Sequence, residues 1–289
     1  MTDALVIGAG PAGLMAADTL ASAGHAVTIA DAMPSVGRKF LMAGKSGLNL
    51  TKAEPLDAFI DTYGPLPTVL HNAISAFGPQ DVIAWAEGLG QPVFTGSTGR
   101  VFPTVMKASP LLRAWLARLG GFGVTLKTRW RWTGWQDQSM AFMTPDGQQL
   151  LHPKVVVLAL GGASWARLGS DGRWAHHLSG SVAPFAPANM GFIVDWSPHM
   201  ARHMGSPVKG VALCTSDTVT RGEWVISERG MEGGAIYTLS RRLREDAPLF
   251  ADLMPDWSLD QVRAALDKPR GKNSLSNHLR KVLRLDPLR

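Results

Sequence analysis

Gly8, Gly10 and Gly13 stand between a short apolar run, Leu5-Val6-Ile7, and an alanine-rich stretch from Leu14 to Ala23. That order predicts a strand, a tight turn and a helix. Gly24-His25 closes the helix, and Val27-Thr28-Ile29-Ala30-Asp31 reads as a second strand ending in an acid, which completes a βαβ unit. Each part suits a bound dinucleotide. Gly8 permits the tight turn, Gly10 lets a pyrophosphate approach the backbone, and Gly13 permits close helix packing. The helix N-terminus offers free N–H groups and a positive dipole to the phosphates, and Asp31 offers acceptors to an adenosine ribose. A glycine-rich turn without a ligand is the bland alternative; strand, helix and acid together favour the dinucleotide. The fingerprint itself does not separate NAD from FAD.

The rest of the composition narrows the class. With 289 residues, 45% of them hydrophobic and 18% charged, the chain can bury a core and is not of the disordered type. The longest purely aliphatic run, Val155 to Leu160, is far short of the roughly 20 residues that cross a bilayer. The N-terminus lacks the basic and apolar regions of a signal peptide. A cytoplasmic chain without a membrane partner is therefore expected. A single cysteine, Cys214, excludes an internal disulfide and a CxxC redox pair, so redox chemistry would have to come from a cofactor. The net charge of +6 favours phosphate-bearing partners and says nothing of fold.

Along the chain, Met33 to Lys52 is loop-like, whereas Leu56 to Ile60, Pro67 to Phe77 and Pro79 to Leu89 read as helices. Ser109 before Pro110 suggests an N-cap and first position for a helix that runs to about Leu119 and ends at Gly120-Gly121. Val124 to Trp135, Ser139 to Thr144 and Gln148 to His152 predict three antiparallel strands with a turn at Pro145-Asp146-Gly147. Lys154 to Leu160 predicts a buried strand that rejoins the parallel sheet and leads into Gly161-Gly162. After Pro184 the pieces Gly191 to Asp195, Val208 to Thr215 and Gly222 to Ser227 suggest a smaller β-rich domain, which becomes basic and helical beyond Ser240. The expected division is 1–183 and 184–289.

Other motifs carry less. Gly44-Lys45-Ser46 imitates the end of a P-loop, but glycine is missing at Lys39 and no strand precedes it. His199 and His203 have a metal-like spacing without a third ligand or a partner glutamate, and His176-His177 are adjacent, which on a helix points them apart. Arg129-Trp130-Arg131-Trp132 interleaves cations and aromatics as a nucleic-acid surface does, yet a half-buried strand gives the same alternation and is the better reading. Cys214 reads as a small packed residue in a strand. No GxSxG elbow is present.

The runs GRKFLMAGKSGLNLT (Gly37 to Thr51), GRVFP (Gly99 to Pro103), KAS (Lys107 to Ser109) and VVVLALGGASWARLGSDG (Val155 to Gly172) resemble the HI0933-like, YhiN-type family of bacterial FAD-dependent flavoproteins. ERGMEGGAIYTLS (Glu228 to Ser240) and DKPRGKNSLSNHLRK (Asp267 to Lys281) are similar to one branch of it. The resemblance implies an α/β, Rossmann-like FAD-binding domain of the two-dinucleotide-binding type with a three-stranded antiparallel meander, interrupted by an inserted β-rich and helical domain. It implies FAD held by Gly8, Ala9, Gly10, Pro11, Ala12 and Gly13, with Asp31 and Ala32 at the adenosine end. Arg38, Lys39, Gly44, Lys45 and Asn49 would lie near the pyrophosphate or flavin, and Gly161 and Gly162 at a second turn against it. Three departures matter. Gly47-Leu48 replaces a common Arg-Cys pair, which leaves thiol chemistry beside the flavin without support; Leu160 replaces a common Thr, and Asp31 a common Glu. The family's C-terminal return segment has no counterpart after Leu285, so the flavin domain is expected to lack its last piece.

The expected function is a two-electron oxidoreductase with FAD as the reacting group, on an unidentified small molecule. NAD(P)H is expected only as a transient reductant, since no second GxGxxG exists. Two alternatives stay open: reduction of an RNA base, suggested by the basic segment from Lys268 to Lys281, and a dinucleotide-binding remnant without turnover.

Overall fold

The computed structural model describes residues 3–45 and 47–286, and the chain separates into two compact units, 1–185 and 186–289. The first unit opens with β1 (Ala4–Ile7), α1 (Pro11–Ser22) and β2 (Val27–Asp31). Helix α1 begins at Pro11, three residues before the expected start, because proline at the first position sacrifices only an N–H that no helical carbonyl could accept. The stretch read as a loop contains α2 (Arg38–Ala43) and a short β3 (Thr51–Lys52). Then follow α3 (Leu56–Asp61), α4 (Thr68–Ala76), α5 (Pro79–Gly88), β4 (Val93–Thr95) and β5 (Arg100–Pro103), with β3, β5 and β4 forming a small antiparallel sheet.

Helix α6 (Ala108–Gly121) starts one residue before the expected cap, with Lys107 at the N-cap position and no side-chain cap. Pro110 is tolerated because it still lies in the first turn, where its missing N–H costs nothing. The expected strand from Val124 to Trp135 is two strands, β6 (Thr125–Thr128) and β7 (Arg131–Gln136), divided at Arg129, whose φ of 59° breaks the extended course. β6 pairs in parallel with β2, whereas β7 forms the meander with β8 (Ser139–Thr144) and β9 (Gly147–Leu151). β10 (Val155–Leu158) returns parallel to β1, giving the order β10-β1-β2-β6. It is an edge strand, with Val155 54% exposed, rather than the buried strand its apolar run suggests.

The alternation of β1 explains the layers. Ala4 and Val6 join the core beneath α1 and α6, while Leu5 and Ile7 point to the other face, against Trp132, Met140 and Phe142 of the meander. Both faces of β1 are covered, which is why it reads as continuously apolar. Complete burial of Leu14 on α1 contributes roughly 2 kcal/mol to that layer.

The second unit is an antiparallel sheet of β11 (Phe192–Ile193), β12 (Pro207–Cys214), β13 (Val219–Ser227), β14 (Gly230–Glu232) and β15 (Phe250–Asp252), in the order β11-β14-β13-β12-β15. Helix α7 (Gly234–Arg244) packs Ile236, Leu239 and Leu243 against Val208, Val211 and Trp224. β15 lies in a stretch read as helical; three residues on a sheet edge are too few to show alternation. α8 (Leu259–Leu266) and α9 (Leu275–Leu283) complete the unit.

One exposed ion pair makes this unit sensitive to acid. The hydrogen bond from Arg242, with those from Thr215 and Thr218, lowers the Asp217 carboxyl from 3.8 to about 2. Because the folded-state value is depressed, this stabilisation is present above the ordinary carboxylate range and is lost as pH falls through about 2. Thermal melts at pH values of about 4 and 2 should therefore diverge more for the native chain than for Asp217→Asn. Equal divergence would refute the assignment.

Candidate functional site

A cavity of about 610 Å³ opens in the first unit where β1, β2 and β10 end. It lies outside the carboxyl ends of parallel strands, where open α/β sheets place their ligands. The glycine turn supplies its floor through Gly8, Ala9, Gly10 and Pro11, and Asp31 and Ala32 line it from the end of β2. Gly8 has φ +106°, and a Cβ there would stand 2.3 Å from Ala159 O; one at Gly13 would stand 1.8 Å from Gly8 O. These glycines are demanded by the fold. Gly10 differs, because a Cβ there meets nothing within 4 Å. Its bare backbone borders open space, as a ligand-facing glycine requires.

No side chain caps α1, and Pro11 occupies its first turn. The Ala12 and Gly13 N–H groups belong to that turn and have no partner within the helix. Asp31 is largely engaged: its Oδ2 accepts from Ala9 N at 2.7 Å and its Oδ1 from Met33 N at 2.8 Å. It clamps the glycine turn, and its remaining lone pairs are what it can offer to a ribose.

Arg38, Lys39, Arg131 and Arg173 line the cavity against the carboxylates Asp31 and Asp171, an excess of positive charge. Asp171 lies 3.8 Å from Arg173 and 4.0 Å from Arg131, so Arg38 and Lys39 are the cations least offset by acids. Arg38 Nη1 donates to Ser35, but its buried Nε has no hydrogen-bond partner among the described residues. The indole N–H of Trp132, another lining residue, is likewise buried and unpartnered. Such orphans carry a desolvation cost that a bound acceptor would relieve. Lys39 Nζ approaches the second turn, 3.5 Å from where a Gly161 Cβ would stand.

The structure thus brings Gly8, Ala9, Gly10, Pro11, Asp31, Ala32, Arg38, Lys39 and Gly161 to one cavity, with Ala12 and Gly13 just behind it in α1 and Gly162 beside Gly161. It does not bring Gly44, Lys45 or Asn49 there. A Cβ on Gly44 would stand 2.6 Å from the Ala108 Cβ, so the end of α2 is seated on α6; Leu48 is buried, and Lys45 and Asn49 face solvent. Ser46 lies outside the described residues.

Sequence reasoning missed the opposite wall. Trp130 and Trp132 come from the Arg-Trp alternation, Ser170 and Asp171 from the link between two short 3₁₀ turns, and Trp174 and His177 from the second of those turns, none of which has a periodicity to read. His177 stacks edge-on against Trp132 with ring centroids 5.0 Å apart. Elsewhere, His199 and His203 lie in a 3₁₀ turn where His203 accepts from Arg202, and no metal-holding group of three or more His, Cys, Asp or Glu exists among the described residues. No helix among them is long and apolar enough to cross a membrane.

The model of the HI0933-like protein Rossmann domain matches residues 2–206, and that of the HI0933-like protein barrel and H2TH domain matches 186–287. The chain belongs to the HI0933-like family. Its curated relatives include the ribosomal RNA dihydrouridine synthase of Haemophilus influenzae, 22% identical over 89% of this chain and 65% of that protein. The Escherichia coli protein of the same name is 25% identical over 97% of this chain and 72% of its own length. This HI0933-like chain thus spans about two thirds of their length. Among solved structures, a 3-ketosteroid dehydrogenase from Rhodococcus jostii RHA1 aligns over 55% of this chain and 46% of its own at 15% identity, with a TM-score of 0.42.

Proposed function

We propose that this HI0933-like chain binds FAD in the cavity at the ends of β1, β2 and β10 and acts as an FAD-dependent oxidoreductase. The observation that carries the reading is the glycine turn: an uncapped helix N-terminus, a Gly10 backbone that borders open space, and Arg38 and Lys39 nearby. Gly10, Ala12 and Gly13 would hold the pyrophosphate through backbone N–H groups, Asp31 the ribose, and Arg38 and Lys39 the negative charge of the bound nucleotide. When bound, FAD supplies two-electron redox chemistry, and the protein's share is orientation and electrostatics. Purified chain titrated with FAD should give a protein-bound flavin spectrum, and anaerobic NADH or NADPH should bleach it. Absence of binding would overturn the reading.

A second, finer reading makes an RNA base the substrate. It is favoured by the names of the two relatives and by six exposed cations around α9: Lys268, Arg270, Lys272, Arg280, Lys281 and Arg284. If four of them met phosphates of single-stranded RNA, log affinity would fall with log salt at a slope of about −3. RNA binding that is unmeasurable at low salt would exclude this version and leave the flavin reading intact.

A further inference from the structure

A tryptophan beyond β10 is held in a conformation that its own packing does not explain. Trp165 has φ 58° and ψ 53°, the left-handed region that a bulky side chain rarely enters. Among the described residues six non-glycines have positive φ, and Trp165 is the only aromatic one. It is 54% exposed, so burial does not offset the strained backbone. The surrounding loop imposes the conformation. Leu168 N–H donates to Trp165 O at 2.7 Å and Gly169 N–H to Ala166 O at 2.9 Å, which closes a 3₁₀ turn, and the buried Ser170 hydroxyl donates to Gly162 O across the base of the loop. A Cβ on Gly169 would stand 2.5 Å from Met33 Cγ, so the far end of the turn is seated on its neighbour.

That seated end is part of the cavity wall, which Leu168, Gly169, Ser170 and Asp171 line. Trp165 is three residues from Leu168 across a hydrogen-bonded turn, which sets the two Cα atoms within roughly 7 Å. The indole therefore stands at the rim of the cavity. Arg167 Cζ lies 5.3 Å from the centroid of its ring. Asp171, the one acid between 161 and 173, lies against Arg131 and Arg173 instead, which leaves the exposed Arg167 guanidinium to other anions. A single exposed apolar residue is ordinary on a protein surface. Here the exposed ring is fixed by a strained, tied turn beside a free cation at a cavity mouth. An aromatic face with a cation next to it matches one nucleotide, since every base has a π face and carries a phosphate.

We propose that Trp165 and Arg167 form a platform at the cavity rim for one nucleotide of single-stranded RNA, the indole stacking on the base and the guanidinium meeting the phosphate. The proposal rests on the RNA-base reading above, to which it adds a contact that holds the strand beside the cavity.

Binding of a fluorescein-labelled oligouridylate about 12 nucleotides long, followed by anisotropy at about 50 mM salt, tests it. Trp165→Ala should weaken binding about 5- to 150-fold, and Trp165→Phe less, because a phenyl ring still stacks. The slope of log affinity against log salt should be unchanged in Trp165→Ala, since stacking releases no counterions, and shallower by about 0.7 in Arg167→Gln. Trp165→Gly, which adopts φ 58° without strain, should melt no lower than Trp165→Ala and bind RNA as weakly. Native affinity in Trp165→Ala overturns the proposal while the RNA reading stands, and RNA binding that is unmeasurable in the unsubstituted chain overturns both. Loss of RNA binding in Trp165→Gly in step with a lowered melting temperature and weaker FAD binding would make the indole a packing residue and also overturn the platform. So would a dimer of the chain that Trp165→Ala dissociates without any effect on RNA.

Discussion

Gly13→Ala is expected to unfold the N-terminal unit, and Gly10→Ala, three residues away, to leave it folded and without FAD. At Gly13 the added carbon would stand 1.8 Å from Gly8 O and 3.2 Å from the Ala159 Cβ. Both neighbours belong to the turn and strand that α1 packs on, so neither can withdraw independently. The cost is at least that of a severe overpacking error, about 3 kcal/mol or more. At Gly10 the backbone has φ −81° and ψ −177°, an extended conformation open to alanine, and the new methyl enters empty space. Exchanging glycine for alanine at an N-cap costs about 0.5–1 kcal/mol, or about 1–4 °C in a unit of this size. The same methyl, however, occupies the place a pyrophosphate would take, and affinity for FAD should fall about 100-fold through lost charge-assisted N–H contacts. Thermal melts together with FAD titration check the pair. Retained FAD binding by Gly10→Ala would disconnect the turn from the cofactor, and a Gly13→Ala chain as stable as the native one would contradict the packing.

That contrast also marks how far the residues alone could be read. Gly8 and Gly13 were legible because their roles are local: a turn and a packing contact set within one βαβ unit. β1 was legible because Ala4 and Val6 face one layer and Leu5 and Ile7 the other, which leaves a continuously apolar signature. The break at Arg129 was not legible, since a single left-handed residue in a run of strand formers leaves no periodic trace. Nor was the displacement of Gly44, Lys45 and Asn49 from the cavity. It follows from the seating of α2 on α6, through Gly37 on Leu112 and Gly44 on Ala108, which is a tertiary event between residues some 70 positions apart. The wall formed by Trp174 and His177 was hidden for a related reason: 3₁₀ turns carry neither the 3.6-residue nor the 2-residue period that marks longer elements.

The same tertiary seating identifies where the site's support is most vulnerable, and Asp18→Ala should lower the melting temperature of the N-terminal unit by about 6–12 °C. Asp18 lies on the buried face of α1, 3% exposed, an unusual place for a carboxylate. Its Oδ2 accepts from the Trp115 indole N–H at 3.0 Å, and its Oδ1 lies 3.0 Å from Arg118 Nε. It therefore ties α1, whose N-terminus forms the glycine turn, to α6, on which α2 rests. Removing it strands the Trp115 N–H in an apolar cluster, where Trp115 meets Trp85 and Phe40 edge-on at 4.7 and 6.3 Å. Arg118, with 38% of its side chain exposed, can turn to water, so the loss is dominated by the indole and the cavity and amounts to about 2–4 kcal/mol. Trp115→Phe removes the N–H instead and leaves the carboxylate with Arg118 alone. Combining the two substitutions should cost less than the sum of each, because the phenyl ring that replaces the indole asks for no acceptor. Melting curves for both single variants and the double variant decide it: strict additivity, or a shift below about 2 °C for Asp18→Ala, would show that this carboxylate does not hold the two helices together.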